Sequence, residues 1–324
     1  MNIISTCMFS QKSELELLYA KIVTEAPLVK NWVIVEGAYS FKGEKKPLIL
    51  QELLSKDSRF IEYSKRIHVV EVHQNLISDF RYGATYFLRK KLEIIIRKFI
   101  SRGYEHEKRI FLEKKHFHAE WISRDSAIPK ILELSTSGND WILISDVDEI
   151  LNLSDKSIYN SISQIMESNE MFHMLYRQRF VFDFDNYDYQ QRFTPFINIE
   201  LLKSSCNLSP FRGRIDGIAQ NKYPFVTEYS YCFDLQPMLT KLKMFSHISP
   251  TKEKVIDALR LNCHLMYSDS NKLDTRWYKK VDLNDYLIPK YIKDNFDKLK
   301  TNNIDLNYES NRKAAYPEVF KKAE

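Results

Sequence analysis

The residue types with most chemical potential stand together in WILISDVDEI, Trp141 to Ile150. Four apolar residues lead into Ser145, and Asp146, Asp148 and Glu149 follow within four positions. Three carboxylates this close repel one another unless positive charge sits among them. In an extended segment residues i and i+2 point the same way, so Asp146 and Asp148 aim at one point just past a strand end. Ligands of open α/β sheets bind at that end. Two converging carboxylates suit a hard divalent cation, magnesium or manganese, which takes oxygen ligands and keeps positions open for water and phosphate. Acidic residues also favour a helix N-terminus, but that explains one or two acids, not an i, i+2 pair directly after an apolar strand.

Two chemistries use such a site. In nucleotide-sugar transfer the metal bridges the diphosphate and stabilises the charge of the departing nucleotide. In phosphoryl transfer of the haloacid-dehalogenase kind, by a phosphotransferase or phosphatase, the first Asp is the nucleophile. That motif continues with Thr and stands near the N-terminus. Here it is central and continues Glu-Ile-Leu, which favours the sugar transferase. A non-catalytic glycan- or membrane-binding module of the same fold is the third alternative.

The elements needed to position this segment are visible around it. NIISTCMF reads as a strand, and Leu15, Leu18 and Ile22 follow at helical spacing with Ser13 as N-cap. NWVIVEGA is a second strand, YSFKGEKKP a polar loop with Gly43 and Pro47, and RIHVVEV a third strand. This alternation predicts an α/β fold with a mostly parallel central sheet. A basic helical insertion is expected over 75–116 and a helix over roughly 119–135. A further helix follows in DKSIYNSISQIMES and a strand in MFHMLYRQRFVFDF. From 183 to 248 the chain is aromatic-rich, with short apolar runs. The expected organisation is one domain over 1–250 and a helical C-terminal appendage over 251–324.

With 324 residues, 44% of them hydrophobic, the chain is long and apolar enough for one large α/β core. No run of 18 apolar residues occurs, and the N-terminus has no basic region before an apolar run. A cytoplasmic protein is therefore expected. Cys7, Cys206, Cys232 and Cys263 form no CxxC pair, which fits a reducing compartment and argues against a zinc knuckle or disulfide framework. The net charge of +5 is concentrated: Arg89 to His118 carries ten Lys/Arg against four Glu. Leu88, Leu92, Ile95, Ile96, Phe99 and Ile100 recur there at helical spacing. Residues 88–115 could thus rest on an anionic membrane at its inner face, or form an ordinary solvated helix. No nucleic-acid partner is expected.

Four stretches in order resemble glycosyltransferase family 17, which includes the enzyme adding the bisecting β-1,4-linked N-acetylglucosamine to N-glycans. FSQKSELELL is similar to the family's N-terminal segment. Glu36, Ser40, Gly43, Lys46 and Pro47 match its strand-ending Glu and Thr/Ser-x-x-Gly-x-x-Lys-Pro loop. WISRDSAI followed by WILISDVDEI resembles its Gln-Arg-Asn-x-Ile helix and Ser-Asp-x-Asp-Glu-Ile-Pro strand end, with Leu151 in place of the Pro. KLKMFSHIS, Lys241 to Ser249, resembles its Lys-Leu…Phe-Ser-His element. The resemblance implies a GT-A-like, Rossmann-like domain and an inverting hexosyltransferase. It implies a nucleotide-sugar donor, a UDP-sugar with UDP-GlcNAc the first guess, and a glycan or lipid-linked glycan acceptor.

Roles follow for named residues. Asp146 and Asp148 are expected to hold the metal and diphosphate, with His247 as a third metal ligand or a core histidine. Arg124 suits bidentate contact with the diphosphate, or a salt bridge with Glu120 four residues earlier. Lys46 could meet phosphate. Glu36 could contact the nucleotide or anchor the 38–47 loop. Glu149 would support the metal ligands or orient the acceptor. Inversion needs a base for the acceptor hydroxyl, and the candidates are Glu228, Asp234 and Asp216, with Asp183 and Asp185 behind them.

Overall fold

The computed structural model describes residues 1–76, 117, 119–212, 218–220, 223–244, 250–263, 277–301, 303–305 and 307–315. The chain begins β1 (Ile3–Phe9), α1 (Leu15–Glu25), β2 (Val29–Gly37), α2 (Leu50–Lys56), β3 (Ile67–Val72), α3 (Ile128–Leu134) and β4 (Trp141–Ile144). These four strands run parallel in the order β3-β2-β1-β4. Strands covered on both faces need apolar residues on both, and their sequences read that way. Alternate residues sort accordingly. Ile3, Cys7 and Phe9 pack with Leu18 and Ile22 of α1, while Ile4, Val33 and Ile142 turn to the opposite face against Ile131 of α3.

The expectation of a mostly parallel sheet fails beyond β4. The next elements are β5 (Glu149–Leu151), α4 (Lys156–Met166), β6 (Phe172–Val181), β7 (Asn186–Asn198), α5 (Ile199–Ser205), α6 (Ser209–Arg212), β8 (Ile218–Gln220), β9 (Val226–Ser230) and α7 (Leu235–Met244). β7 is antiparallel to both β4 and β6, β6 is parallel to β8 and β9, and β5 is antiparallel to β9. The sheet is therefore mixed, in the order β3-β2-β1-β4-β7-β6-β9-β5. The cause lies in the stretch that reads as short aromatic runs. It holds a 13-residue strand joined to β6 by a tight connection, and a tight connection produces antiparallel neighbours. That connection is fixed by Phe182 at φ 70°, by Asp183 Oδ1 accepting from Phe184 N at 3.0 Å, and by Asn186 Nδ2 donating to Val181 O at 2.8 Å.

Local starts and stops differ from expectation in two places. A 3-10 turn, Lys12–Glu14, precedes α1, so Glu14 and not Ser13 stands at the cap position. The helix expected over 119–135 divides into helical residues 119–125 and α3, with Pro129 in the first turn of α3, a position that needs no N–H. α4 starts as its sequence suggests, Asp155 Oδ1 accepting from Ser157 N and Ile158 N.

The C-terminal elements are α8 (Lys252–Leu261), β10 (Lys279–Lys280), α9 (Lys290–Asp294), α10 (Phe296–Leu299) and α11 (Tyr308–Ala315). They pack into the sheet's own cores. Ile288 and Ile292 share a cluster with Leu17, Phe180 and Tyr229, and Val255 and Ala258 share one with Val181, Phe182 and Met238. β10 adds to β7. The basic insertion lies outside the described residues apart from Asn75 and Leu76, and so does the 88–115 face. Among the described residues no helix is long and apolar enough to cross a membrane.

Candidate functional site

A cleft of about 260 Å³ opens where the carboxyl ends of β1, β2 and β4 meet the antiparallel half of the sheet. Phe9, Gly37 and Asp146 line it from these strand ends. One wall is the loop after β2. Ser40 Oγ accepts from Lys42 N at 3.2 Å and Glu44 N at 3.1 Å, and Gly43 sits at φ 86°, where a side chain would be strained. These contacts give the Ser-x-x-Gly spacing its physical reason.

The acidic turn is clamped from beneath. Lys21 of α1, fully buried, donates to Ser145 Oγ at 2.9 Å and to Glu149 O at 2.6 Å, one residue to either side of Asp146–Asp148. Its charge is matched by Glu25 Oε1 at 2.7 Å. Glu25 also accepts from Trp32 Nε1 and Leu151 N, so this buried network is satisfied. Above it Glu149 N closes the turn on Asp146 O at 3.0 Å, and Tyr229 N of β9 binds Asp148 O at 2.9 Å.

Each of the three acids meets at least one cation, and Arg212 is shared by Asp146 and Glu149. Asp146 Oδ1 meets Arg124 Nη2 at 2.9 Å and Oδ2 meets Arg212 Nη2 at 2.6 Å. Burial alone would raise its carboxyl, but Arg212 and Arg124 outweigh burial and hold it well below the usual range. Glu149 is bound by Arg177, by Arg212 and by Thr194 Oγ1 at 3.1 Å. Asp148 is different. Lys241 Nζ is 2.9 Å from its Oδ2 but also 3.0 Å from Glu14 Oε1, so one ammonium serves two carboxylates. Burial, reinforced by Asp146 and Glu228, pushes Asp148 up to about 6 despite Lys241.

That local excess of negative charge is where a hard cation could be held. Asp148 supplies carboxylate oxygen beside Asp146, whose own oxygens are on guanidinium groups. Magnesium and manganese need only one or two carboxylates when phosphates complete the shell. Among the described residues no group of three His, Cys, Asp or Glu side chains is arranged to hold a metal, and His247 lies outside them.

The other expected site residues separate. Arg124 is buried, donates to Ser145 O at 3.0 Å and touches both Glu120 and Asp146, so it braces the end of β4. Glu36 does not line the cleft. Its carboxylate accepts from Ile49 N and Leu50 N at 3.0 and 2.9 Å, starting α2, and is committed to the fold rather than to a ligand. Lys46 does line the cleft. Its Nζ makes no hydrogen bond among the described residues, lies 3.7 Å from Glu36 Oε1, and is lowered by burial against the pull of Glu36 and Glu14.

Among the candidate bases, Glu228 lies in the cleft, Asp234 is exposed and does not line it, and Asp216 is outside the described residues. Burial would raise Glu228, but Arg177 and Arg179 outweigh it and hold it well below the usual range. It is a poor proton acceptor and a firm anion. Asp183 and Asp185 bind Lys280 near β10, away from the cleft lining.

Four charged cleft residues were not singled out by sequence, Arg177, Arg179, Arg192 and Arg212, while Glu14 and Lys241 stood only inside stretches carrying the resemblance and were given no role. A signal for two of them was present. Arg177 and Arg179 stand at i, i+2 inside a strand that is otherwise largely apolar, and charge on one face of a buried strand marks a polar cleft.

No protein-family model matches the chain, and no curated protein matches it significantly.

Proposed function

We propose that this protein is a glycosyltransferase of the GT-A kind, resembling family 17, that moves a sugar from a nucleotide donor to a glycan acceptor. The observation that carries the reading is the placement of Asp146 and Asp148. They follow β4, enter the cleft together, and stand where the strand order β3-β2-β1 switches to β4. Crevices at such reversals of strand order hold nucleotides.

A nucleotide lying over the ends of β1 and β2 would have its base and ribose against Phe9, Val35, Gly37 and the 39–46 loop. Its diphosphate would then reach the Asp146–Asp148 turn, with Lys46 and Arg212 as cations on the cleft wall. Asp148 would hold magnesium or manganese with phosphate oxygens completing the shell, Asp146 beside it adding negative charge, and the metal would supply Lewis-acid stabilisation of the leaving diphosphate. Lys21 and Arg124 fix the backbone that carries these carboxylates. Glu228, pinned in its charged form, suits accepting a hydrogen bond from a sugar hydroxyl better than removing its proton. Phosphoryl transfer through Asp146 as nucleophile is less well supported, because two guanidinium groups already occupy both its oxygens.

The test is a thermal-shift panel of UDP, GDP and CMP with and without manganese. Stabilisation by UDP and manganese together is expected; no response to any nucleotide would contradict the reading.

A further inference from the structure

The cleft has two chemically distinct ends. Toward β1 and β2 it is lined by Phe9, Val35, Gly37, Tyr39 and Phe41. Beyond the acidic turn, over β6, β7 and β9, the lining is Arg177, Arg179, Arg192, Glu228 and Ser230. Arg177 and Arg192 are direct cross-strand partners on β6 and β7. Like charges placed opposite one another cost stability, so a fold carries such a pair in a cleft only against a compensating gain. The register also slips between Arg177 and Arg179, and irregularities of this kind re-aim side chains near functional sites.

The acids facing these arginines are shared. Glu228 serves both Arg177, at 3.0 Å, and Arg179, at 3.1 Å. Asp188 meets Arg179 at 3.1 Å. Glu149, which Arg177 also contacts, is taken in a fork by Arg212. Arg177 Nε approaches Glu228 Oε2 without the alignment of a hydrogen bond, so that donor is not spent on Glu228. Burial disfavours the charge of Arg192, and Arg179 and Arg177 add to the effect. Planar guanidinium forks match carboxylate and phosphate oxygens in pairs.

We infer that the saccharide bound beyond the diphosphate carries an acidic group, a carboxylate or a phosphate, held by Arg177, Arg179 and Arg192. This rests on the transferase reading, because strand order places the sugar side of the reaction over β6, β7 and β9 once the nucleotide lies over β1 and β2. The acidic group belongs either to the acceptor or to the transferred sugar, and binding experiments separate the two.

The full chain with UDP and manganese is titrated by calorimetry with glucose, glucuronate and glucose 6-phosphate. In a second series UDP-glucose is compared with UDP-glucuronate. A preference of about tenfold or more for the acidic member is expected in one series. In the first it places the group on the acceptor, in the second on the transferred sugar. Arg192→Gln should abolish the preference. Should that variant not fold, Arg192→Lys, which keeps the charge but loses the fork, should weaken it. Equal binding of acidic and neutral members in both series, or a preference that survives at Arg192, overturns the inference. If UDP still binds, the transferase reading stands; if UDP does not bind, both fall together.

Discussion

Arg212 and Glu149 meet fork to fork, with Nη1 2.7 Å from Oε2 and Nη2 2.7 Å from Oε1. The same guanidinium reaches Asp146 Oδ2 at 2.6 Å, so one side chain ties the first acid of the turn to the last. Glu149 is thereby explained as an anchor for Arg212 and Arg177. A double-mutant cycle with Arg212→Ala and Glu149→Gln should give a coupling of about 1–3 kcal/mol by urea unfolding, as expected for a largely buried bidentate pair. Additive effects would mean that the fork does not exist in solution.

Lys21 makes a second, stronger prediction. Lys21→Met leaves Glu25 charged, buried and without its cation, which costs about 3–5 kcal/mol. Lys21→Met with Glu25→Gln removes both charges and should recover much of the stability. Equal melting temperatures for the single and double variants would contradict the buried pair.

Acid should loosen the seam between α1 and α9. Glu16 accepts from Arg59 Nη1 at 2.9 Å and from the Tyr291 hydroxyl. Burial would raise its carboxyl, but Arg59 and Tyr291 outweigh burial and lower it from 4.5. A lowered folded-state pKa means that the contribution is complete above about pH 4.5 and is lost as pH falls through the folded value. Glu16→Gln should therefore flatten the fall in melting temperature on the acid side of pH 4.5, while leaving its shape at neutral pH unchanged. An unchanged acid limb would remove the link.

Thiol chemistry checks the packing independently. Cys206 is exposed, whereas Cys7, Cys232 and Cys263 are buried. Burial pushes Cys7 up to about 12, so it holds little thiolate at pH 8. One fast-reacting thiol is expected in the native protein and four after denaturation. Rapid reaction of two or more native thiols would contradict the packing around β1 and β9.

What sequence revealed and what it hid have physical reasons. Asp146 and Asp148 were legible because the apolar run before them marks the strand end, although they enter the cleft from a turn and not from the extended segment that period-2 spacing assumed. The parallel half was legible for the same reason, since β1, β2 and β4 each hold an apolar stretch, Ile3–Ile4, Trp32–Val35 and Trp141–Ile144. β7 was not, because its polar and aromatic residues, NYDYQQRFTPFIN, alternate imperfectly across a register slip. Missing β7 also hid Arg192. Arg212 and Lys241 come from helices far along the chain, and nothing local tells that a helical cation will meet a carboxylate on another element. Glu36 stayed open between ligand contact and loop anchor because a strand-ending acid looks the same whether it binds a ligand or starts a helix.

The central claim is that Asp148 carries a metal-dependent nucleotide site, and UDP binding titrated against manganese tests it most directly. Asp148→Asn should fold as well as the parent, because Lys241 keeps Glu14 at 3.0 Å and a carboxylate disfavoured by burial is removed. In the parent, manganese should tighten UDP binding about tenfold or more, and in Asp148→Asn the manganese dependence should vanish. UDP binding that ignores manganese in the parent, or that keeps the same dependence in the folded variant, would contradict the claim.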